Sequence, residues 1–292
     1  MTNPPIGRDE LQAVAAHFAS ALTGPVAIDV WTQAESALVR TDRDPCVHCP
    51  DVLAAARQLA GLHANLSLTL YDVDRHAARA QQAGVELLPL TVLRGRAGRE
   101  LRVHGLWSGL LFGAMVDALV MLSSGNTPIA DADRERLRAL DDAPADSVAL
   151  EVLGAPYDAF SAHMLRLCAA LATETPRLRP RFIEVVEFPR LAAGRAVHEV
   201  PITYVGMRPA AGQRFIGVWD EGELIEQLAR AAAGDSTPVE REHILASPYH
   251  SEAELAELAA LDPAALDPDE SPARRGPTGF EPRPSGLYLP RD

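Results

Sequence analysis

Apolar and polar positions along the chain alternate between strand-like and helix-like periods in a repeating order. Asp9–Leu22 carries apolar residues at helical spacing, and Val26-Ala-Ile-Asp-Val-Trp31 reads as the core of a strand, Val26–Thr32. A polar stretch from Gln33 to Asp44 follows. Asp51–Leu62 then has helical periodicity with no breaker before Gly61. Next come a strand at Leu66–Asp72, a short helix around Asp74–Ala83, strands at Thr91–Arg94 and Leu101–His104, and a closing helix. From Val148 a similar series begins: a strand at Val148–Leu153, a helix at Phe160–Thr173 and a strand at Arg181–Val186. Leu191–Val197 reads as helical, Ile202–Val205 and Arg214–Gly217 as strands, and Glu221–Ala233 as the last helix. This order predicts a central mixed β-sheet with helices on both faces.

The two series share fixed landmarks. Gly105-Leu-Trp-Ser108 lies sixteen residues beyond Pro89, and Gly217-Val-Trp-Asp220 lies sixteen beyond Pro201. Ser108 and Asp220 are expected to cap the helices that follow, and Gly125 and Gly234 to end them with left-handed turns. Trp107 and Trp219 occupy matching positions and are expected to pack those helices onto the sheet. The chain therefore reads as an internal duplication. Its parts are an N-terminal module over residues 8–127, a second module over 145–234, and an acidic, proline-rich tail over 235–292.

One chemical motif stands out, Cys46-Val-His-Cys49, flanked by Pro45 and Pro50 and placed just before a helix. Two thiols at this spacing close a small ring that can be oxidised and reduced repeatedly. Half of a zinc site would look the same, but zinc takes about four ligands and the remaining cysteine, Cys168, is far away in sequence. A dithiol is the favoured reading. In the second series, counting back 44 residues from Pro201 lands on Tyr157, so Tyr157-Asp-Ala-Phe160 stands where a second pair of thiols belongs. That module cannot perform dithiol chemistry. It reads as a scaffold for dimerisation or partner docking, or, less favoured, as a groove that binds a peptide without covalent chemistry.

Composition narrows the partners. A formal net charge of −13 argues against nucleic acid and against an anionic membrane surface. The longest apolar run, Leu106–Leu122, is interrupted by Ser108, Gly109, Gly113 and Asp117, and no signal peptide is visible, so a cytoplasmic protein is expected. Three cysteines in 292 residues suit a reducing compartment.

Taken together, residues 8 to 234 resemble the thioredoxin/glutaredoxin superfamily, and in particular its tandem members, the protein disulfide oxidoreductases. The Cys46-Val-His-Cys49 motif is similar to the family's active site, and Leu88-Pro89-Leu-Thr to the segment whose proline is cis and faces the dithiol. The resemblance implies an α/β fold of two tandem thioredoxin-like modules and a thiol–disulfide oxidoreductase that needs no cofactor and no metal. It implies protein thiols and disulfides as partners, with a peroxidase or a thioredoxin reductase in the relay and a homodimer as an assembly. Cys46, expected at the helix start, is expected to attack, and Cys49, one turn in and more buried, to resolve. His48 is expected to lower the Cys46 pKa and to make the site more oxidising than an ordinary thioredoxin. Asp29 resembles the buried acid that assists the second thiol. The residues between Gln33 and Asp44 have no place in the family pattern and are expected to alter access to Cys46. A redox-inactive docking protein is the alternative function. In the tail, Ser251–Leu261 reads as an amphipathic helix with Leu255 and Leu258 on one face, and Phe280 and Tyr288 as residues able to dock.

Overall fold

The computed structural model describes residues 6–34, 45–140, 148–206 and 212–261, together with the backbone of 280–282 and 288–290. The first half contains α1 (Arg8–Ala21), β1 (Val26–Thr32), α2 (Cys49–Ala60), β2 (Leu66–Asp72), α3 (Ala77–Gln82), β3 (Leu90–Arg94), β4 (Glu100–His104) and α4 (Leu110–Ser124). A short helix, α5 (Asp131–Leu137), leads to the second half. There β5 (Ala149–Gly154), α6 (Ala159–Glu174), β6 (Arg181–Glu184), α7 (Pro189–Gly194), β7 (Glu199–Val200), β8 (Ile202–Gly206), β9 (Gln213–Ile216) and α8 (Glu221–Ala232) follow in turn. The tail adds β10 (Ser247–Pro248), α9 (Glu252–Leu261), and a small antiparallel pair, β11 (Phe280–Pro282) with β12 (Tyr288–Pro290).

Eight strands form one mixed sheet in the order β2-β1-β3-β4-β6-β5-β8-β9. The halves meet where β4 pairs in parallel with β6, Val103 opposite Phe182. Strand alternation then assigns each residue to a face. Ile28 and Val30 share one face with Phe18 of α1, Val52 of α2, Leu111 of α4, Leu165 of α6 and Leu224 of α8, in a core that runs across both halves. The opposite face carries two smaller clusters. Trp31, Leu90 and Val92 lie under Ala80 of α3, and Leu153, Ile183 and Ile202 lie under Ala192 of α7. The result is a thioredoxin-like α/β architecture, a central mixed sheet between helices, as the alternation of periods predicts.

Several local expectations need correction. Ser108 does not cap α4. The N-cap is Gly109 at φ 54°, and the first amide of the helix, on Leu110, donates to the carbonyl of Pro156 in the other half (2.9 Å). A side chain at 109 would meet that carbonyl at 2.7 Å, so glycine is required by both conformation and space. Asp220 does cap α8, accepting from the Gly222 amide. Gly125 ends α4 in the left-handed region, as expected. Strand β6 stops at Glu184 and passes into a single 3₁₀ turn, Val185–Glu187, which matters for the site below.

The sixteen-residue spacing now has a mechanical cause. The β3–β4 hairpin places Leu90 opposite His104, so the next residue, Gly105 at φ 91°, donates its amide to the carbonyl of Pro89 (2.9 Å). The β8–β9 hairpin does the same, with Gly217 at φ 90° donating to Pro201 (2.8 Å). Both Leu88–Pro89 and Val200–Pro201 are cis.

Candidate active site

Cys46 and Cys49 are joined as a disulfide, their Cα atoms 5.4 Å apart. A turn from Cys46 to His48 delivers the chain into α2, which begins at Cys49 with His48 at its N-cap and Pro50 behind. The helix buries Val52, Ala55, Ala56 and Leu59, and this fixes where its first turn sits. Cys49 is 3% exposed, whereas Cys46 is partly exposed beside the fully projecting Val47. At the end of β1 the Gln33 amide donates to the Cys49 sulfur (3.4 Å), a contact that stabilises negative charge there on reduction.

The dithiol turn borders a groove of about 820 Å³. One wall is Pro45, Val47 and His48; another is the approach to the cis peptide, Glu86 to Leu88. That approach is pinned by His104, whose Nδ1 lies 3.1 Å from the Leu87 carbonyl. His104 is fully buried, and burial holds its pKa well below the usual imidazole value, so at neutral pH it is uncharged and donates to Leu87.

The third wall comes from the other half of the molecule. Glu187, at the end of the 3₁₀ turn after β6, accepts the Leu106 amide at 2.5 Å, next to the Gly105 that holds Pro89. Burial pushes its carboxyl up to about 7, against the pull of the Leu106 hydrogen bond and of nearby His48. Glu184 accepts the amides of Val186 and Glu187 and is raised well above the carboxylate range by burial and by Glu187. Glu252, at the start of α9, completes the wall and lies 3.8 Å from His48 Nε2, while Asp51 lies 3.4 Å from Nδ1. His48 is therefore held between two carboxylates.

The sequence-predicted residues divide accordingly. The fold brings Cys46, Cys49, His48 and the cis-Pro89 loop to one end of the sheet. Asp29 is not brought to them. It is 3% exposed on the sheet face that carries Trp31 and Val92, opposite α2, and its carboxylate pairs with Arg94 at 2.5 Å. Cys168 is a buried core residue of α6 whose thiol burial pushes up, away from reactivity. The segment 35–44 and the side chains of Phe280 and Tyr288 lie outside the described residues. Sequence reasoning missed Glu184, Glu187 and Glu252. Two acids in the otherwise apolar run Phe182-Ile-Glu-Val-Val-Glu187 were the available signal, since a strand end buries carboxylates only where amides wait for them.

Among the described residues, no helix is long and apolar enough to cross a membrane. No protein-family model and no curated protein matches the sequence. Solved structures do. A protein disulfide oxidoreductase from Aeropyrum pernix K1 superposes with a TM-score of 0.67 at 20% identity, covering 82% of this chain and 98% of that one. The N-terminal N/C domain of the alkylhydroperoxide reductase AhpF from Enterococcus faecalis superposes with a TM-score of 0.64 at 20% identity, covering 76% and 99%. These likenesses concern the fold, which is that of thioredoxin-like proteins.

Proposed function

We propose that this chain is a thiol–disulfide oxidoreductase that works through Cys46 and Cys49 alone. The observation that carries the reading is the disulfide itself, in a turn that borders a groove beside a cis-proline loop, with Cys46 partly exposed and Cys49 buried. In the reduced protein the Cys46 thiolate attacks a partner's disulfide. A Cys46–partner bond forms, and one partner sulfur leaves as a thiolate. Cys49 then gives up its proton and attacks the Cys46 sulfur. This releases the second partner thiolate and closes the Cys46–Cys49 disulfide. Two electrons pass to the partner, and protons restore its thiols. Run backwards, the same steps oxidise a dithiol.

The partners we propose are protein thiols and disulfides, with a reductase or a peroxidase at the other end of the relay, in the reducing environment of the cytoplasm. The fold neighbours are a disulfide oxidoreductase and part of a peroxide-reducing system, which supports that class of partner. The module limits 8–127 and 145–234 belong to the same reading, as does a homodimer. Electrostatics set the direction. The start of α2 favours a thiolate on Cys46 by about 0.3–1 kcal/mol, and a charge on His48 adds to this. Asp51, Glu187 and Glu252 around His48 act the opposite way. We therefore expect a potential closer to that of an ordinary thioredoxin than His48 alone would give.

The decisive experiment is insulin-disulfide reduction by the wild type, Cys46→Ser and Cys49→Ser. Cys46→Ser should be inactive, and Cys49→Ser should accumulate a mixed disulfide with its partner. Equal rates for wild type and Cys46→Ser would instead leave a docking protein with a vestigial dithiol.

A further inference from the structure

The second half repeats the architecture around a cis-proline but has no thiols, and its groove is not empty. Strand β10 of the tail pairs antiparallel with β7, Ser247 opposite Val200 and Pro248 opposite Glu199, directly before the cis Val200–Pro201 bond. The Tyr249 amide extends the pairing by donating to the His198 carbonyl (3.0 Å). The side chains that replace the dithiol turn hold the same segment. Tyr157 donates its hydroxyl to the Pro248 carbonyl (3.1 Å) and accepts the His250 amide (2.7 Å). Asp158, buried at the N-cap of α6, accepts the Ser247 hydroxyl at 2.7 Å. Tyr249 and Leu255 then pack against the apolar cluster of this half.

This is how an extended peptide is recognised at a sheet edge: backbone pairing supplies affinity, and side-chain partners supply specificity. The contrast with the first half is informative. There the residues before cis-Pro89, Leu87 and Leu88, are in no strand among the described residues and open onto the 820 Å³ groove. One edge is filled by the chain's own tail, and among the described residues its counterpart has no such strand.

We propose that the vacated motif at Tyr157–Phe160 is a peptide-binding seat whose resting ligand is this chain's own Ser247-Pro-Tyr-His250. An outside peptide of the same chemistry, a serine and a proline followed by an aromatic residue, enters when that segment is lifted. The inference goes beyond the dithiol reading and does not depend on it.

The test uses the full chain. Ser247→Glu sets a second carboxylate against buried Asp158 and should expel the segment while leaving the seat intact. Amide hydrogen exchange at Tyr249 should then be at least tenfold faster than in the wild type, with the β1–β3 strands unchanged. A fluorescent synthetic peptide of residues 245–251 should bind Ser247→Glu at least tenfold more tightly than the wild type. Adding Tyr157→Phe should weaken that binding about tenfold. In an otherwise wild-type chain, Tyr157→Phe alone should quicken exchange at Tyr249, which that hydroxyl does not touch, so the idea stays testable if Ser247→Glu fails to fold. Exchange at Tyr249 that stays slow in both variants overturns the proposal. So does a lifted segment without peptide binding, or binding indifferent to Tyr157.

Discussion

Asp29 shows how a residue that matches a motif in sequence can have a different role in space. Strand alternation puts it on the face opposite α2, where it meets Arg94 and not the dithiol. Its removal should therefore be read in stability. Asp29→Asn is expected to cost about 1–3 kcal/mol, because a buried charge pair is broken while half-exposed Arg94 keeps Glu100 as a partner. The rate of insulin reduction should stay within about twofold of wild type, since Asp29 pairs with Arg94 on the sheet face opposite α2. Urea denaturation and initial rates on the same protein separate the two; a large rate loss at unchanged stability would restore Asp29 as a proton acceptor. The pairing of the two cysteines and the cis bond at Pro89 were legible because they depend on local spacing. Glu187 was not, because a contact between residues 106 and 187 leaves no mark on either segment alone.

The helices and strands were read well wherever burial imposes a period. β1 and β2 begin and end where their apolar alternation does. α5 escaped because Asp131-Ala-Asp-Arg-Glu-Arg-Leu137 has no apolar stripe. Its turns are held by Arg134 on Asp131 and Glu174 and by Arg136 on Asp133, contacts that charge composition does not specify. The start of α4 was misassigned for a related reason. Ser108 is a good cap by type, but the first amide of α4, on Leu110, is met by the Pro156 carbonyl across the molecule. The next two are met by the backbone carbonyls of Ser108 and Gly109, and the chain must turn through positive φ at Gly109 to reach Pro156. Ser108→Ala should consequently change stability by less than about 0.5 kcal/mol. Gly109→Ala should cost at least about 1–3 kcal/mol from backbone strain, with the clash against Pro156 added. Comparable effects of the two substitutions in urea would reinstate Ser108 as the cap.

The two halves share a sheet, a core and a set of carboxylates at their junction, so the molecule should unfold as a unit and its pH dependence should report on the junction. Glu187 is the clearest probe, since its carboxyl joins the 3₁₀ turn of one half to the Leu106 amide of the other. Its folded pKa, about 7, lies above the ordinary 4.5. Between those values the folded chain binds more protons than the unfolded one. Stability from this group is thus full below about pH 4.5 and is lost as pH rises through 7. Buried His163, held down to about 4, and buried His104 act in the opposite sense: they stabilise above their ordinary 6.5 and lose this as pH falls. Groups of both senses, with Glu184 and Asp158 raised like Glu187, therefore titrate in the wild type, and a variant is needed to expose the Glu187 contribution. Glu187→Gln keeps an oxygen for the Leu106 amide but has no proton to lose. Its stability relative to wild type should rise by about 1–2 kcal/mol between pH 5 and pH 8, a value set below the full linkage figure because Glu187 retains some solvent contact. Urea unfolding of both proteins at the two pH values measures the difference directly. A gap that does not change with pH would mean that Glu187 ionises freely, and that the junction beside the dithiol is wetter than the packing of Glu184, Glu187 and Leu106 implies.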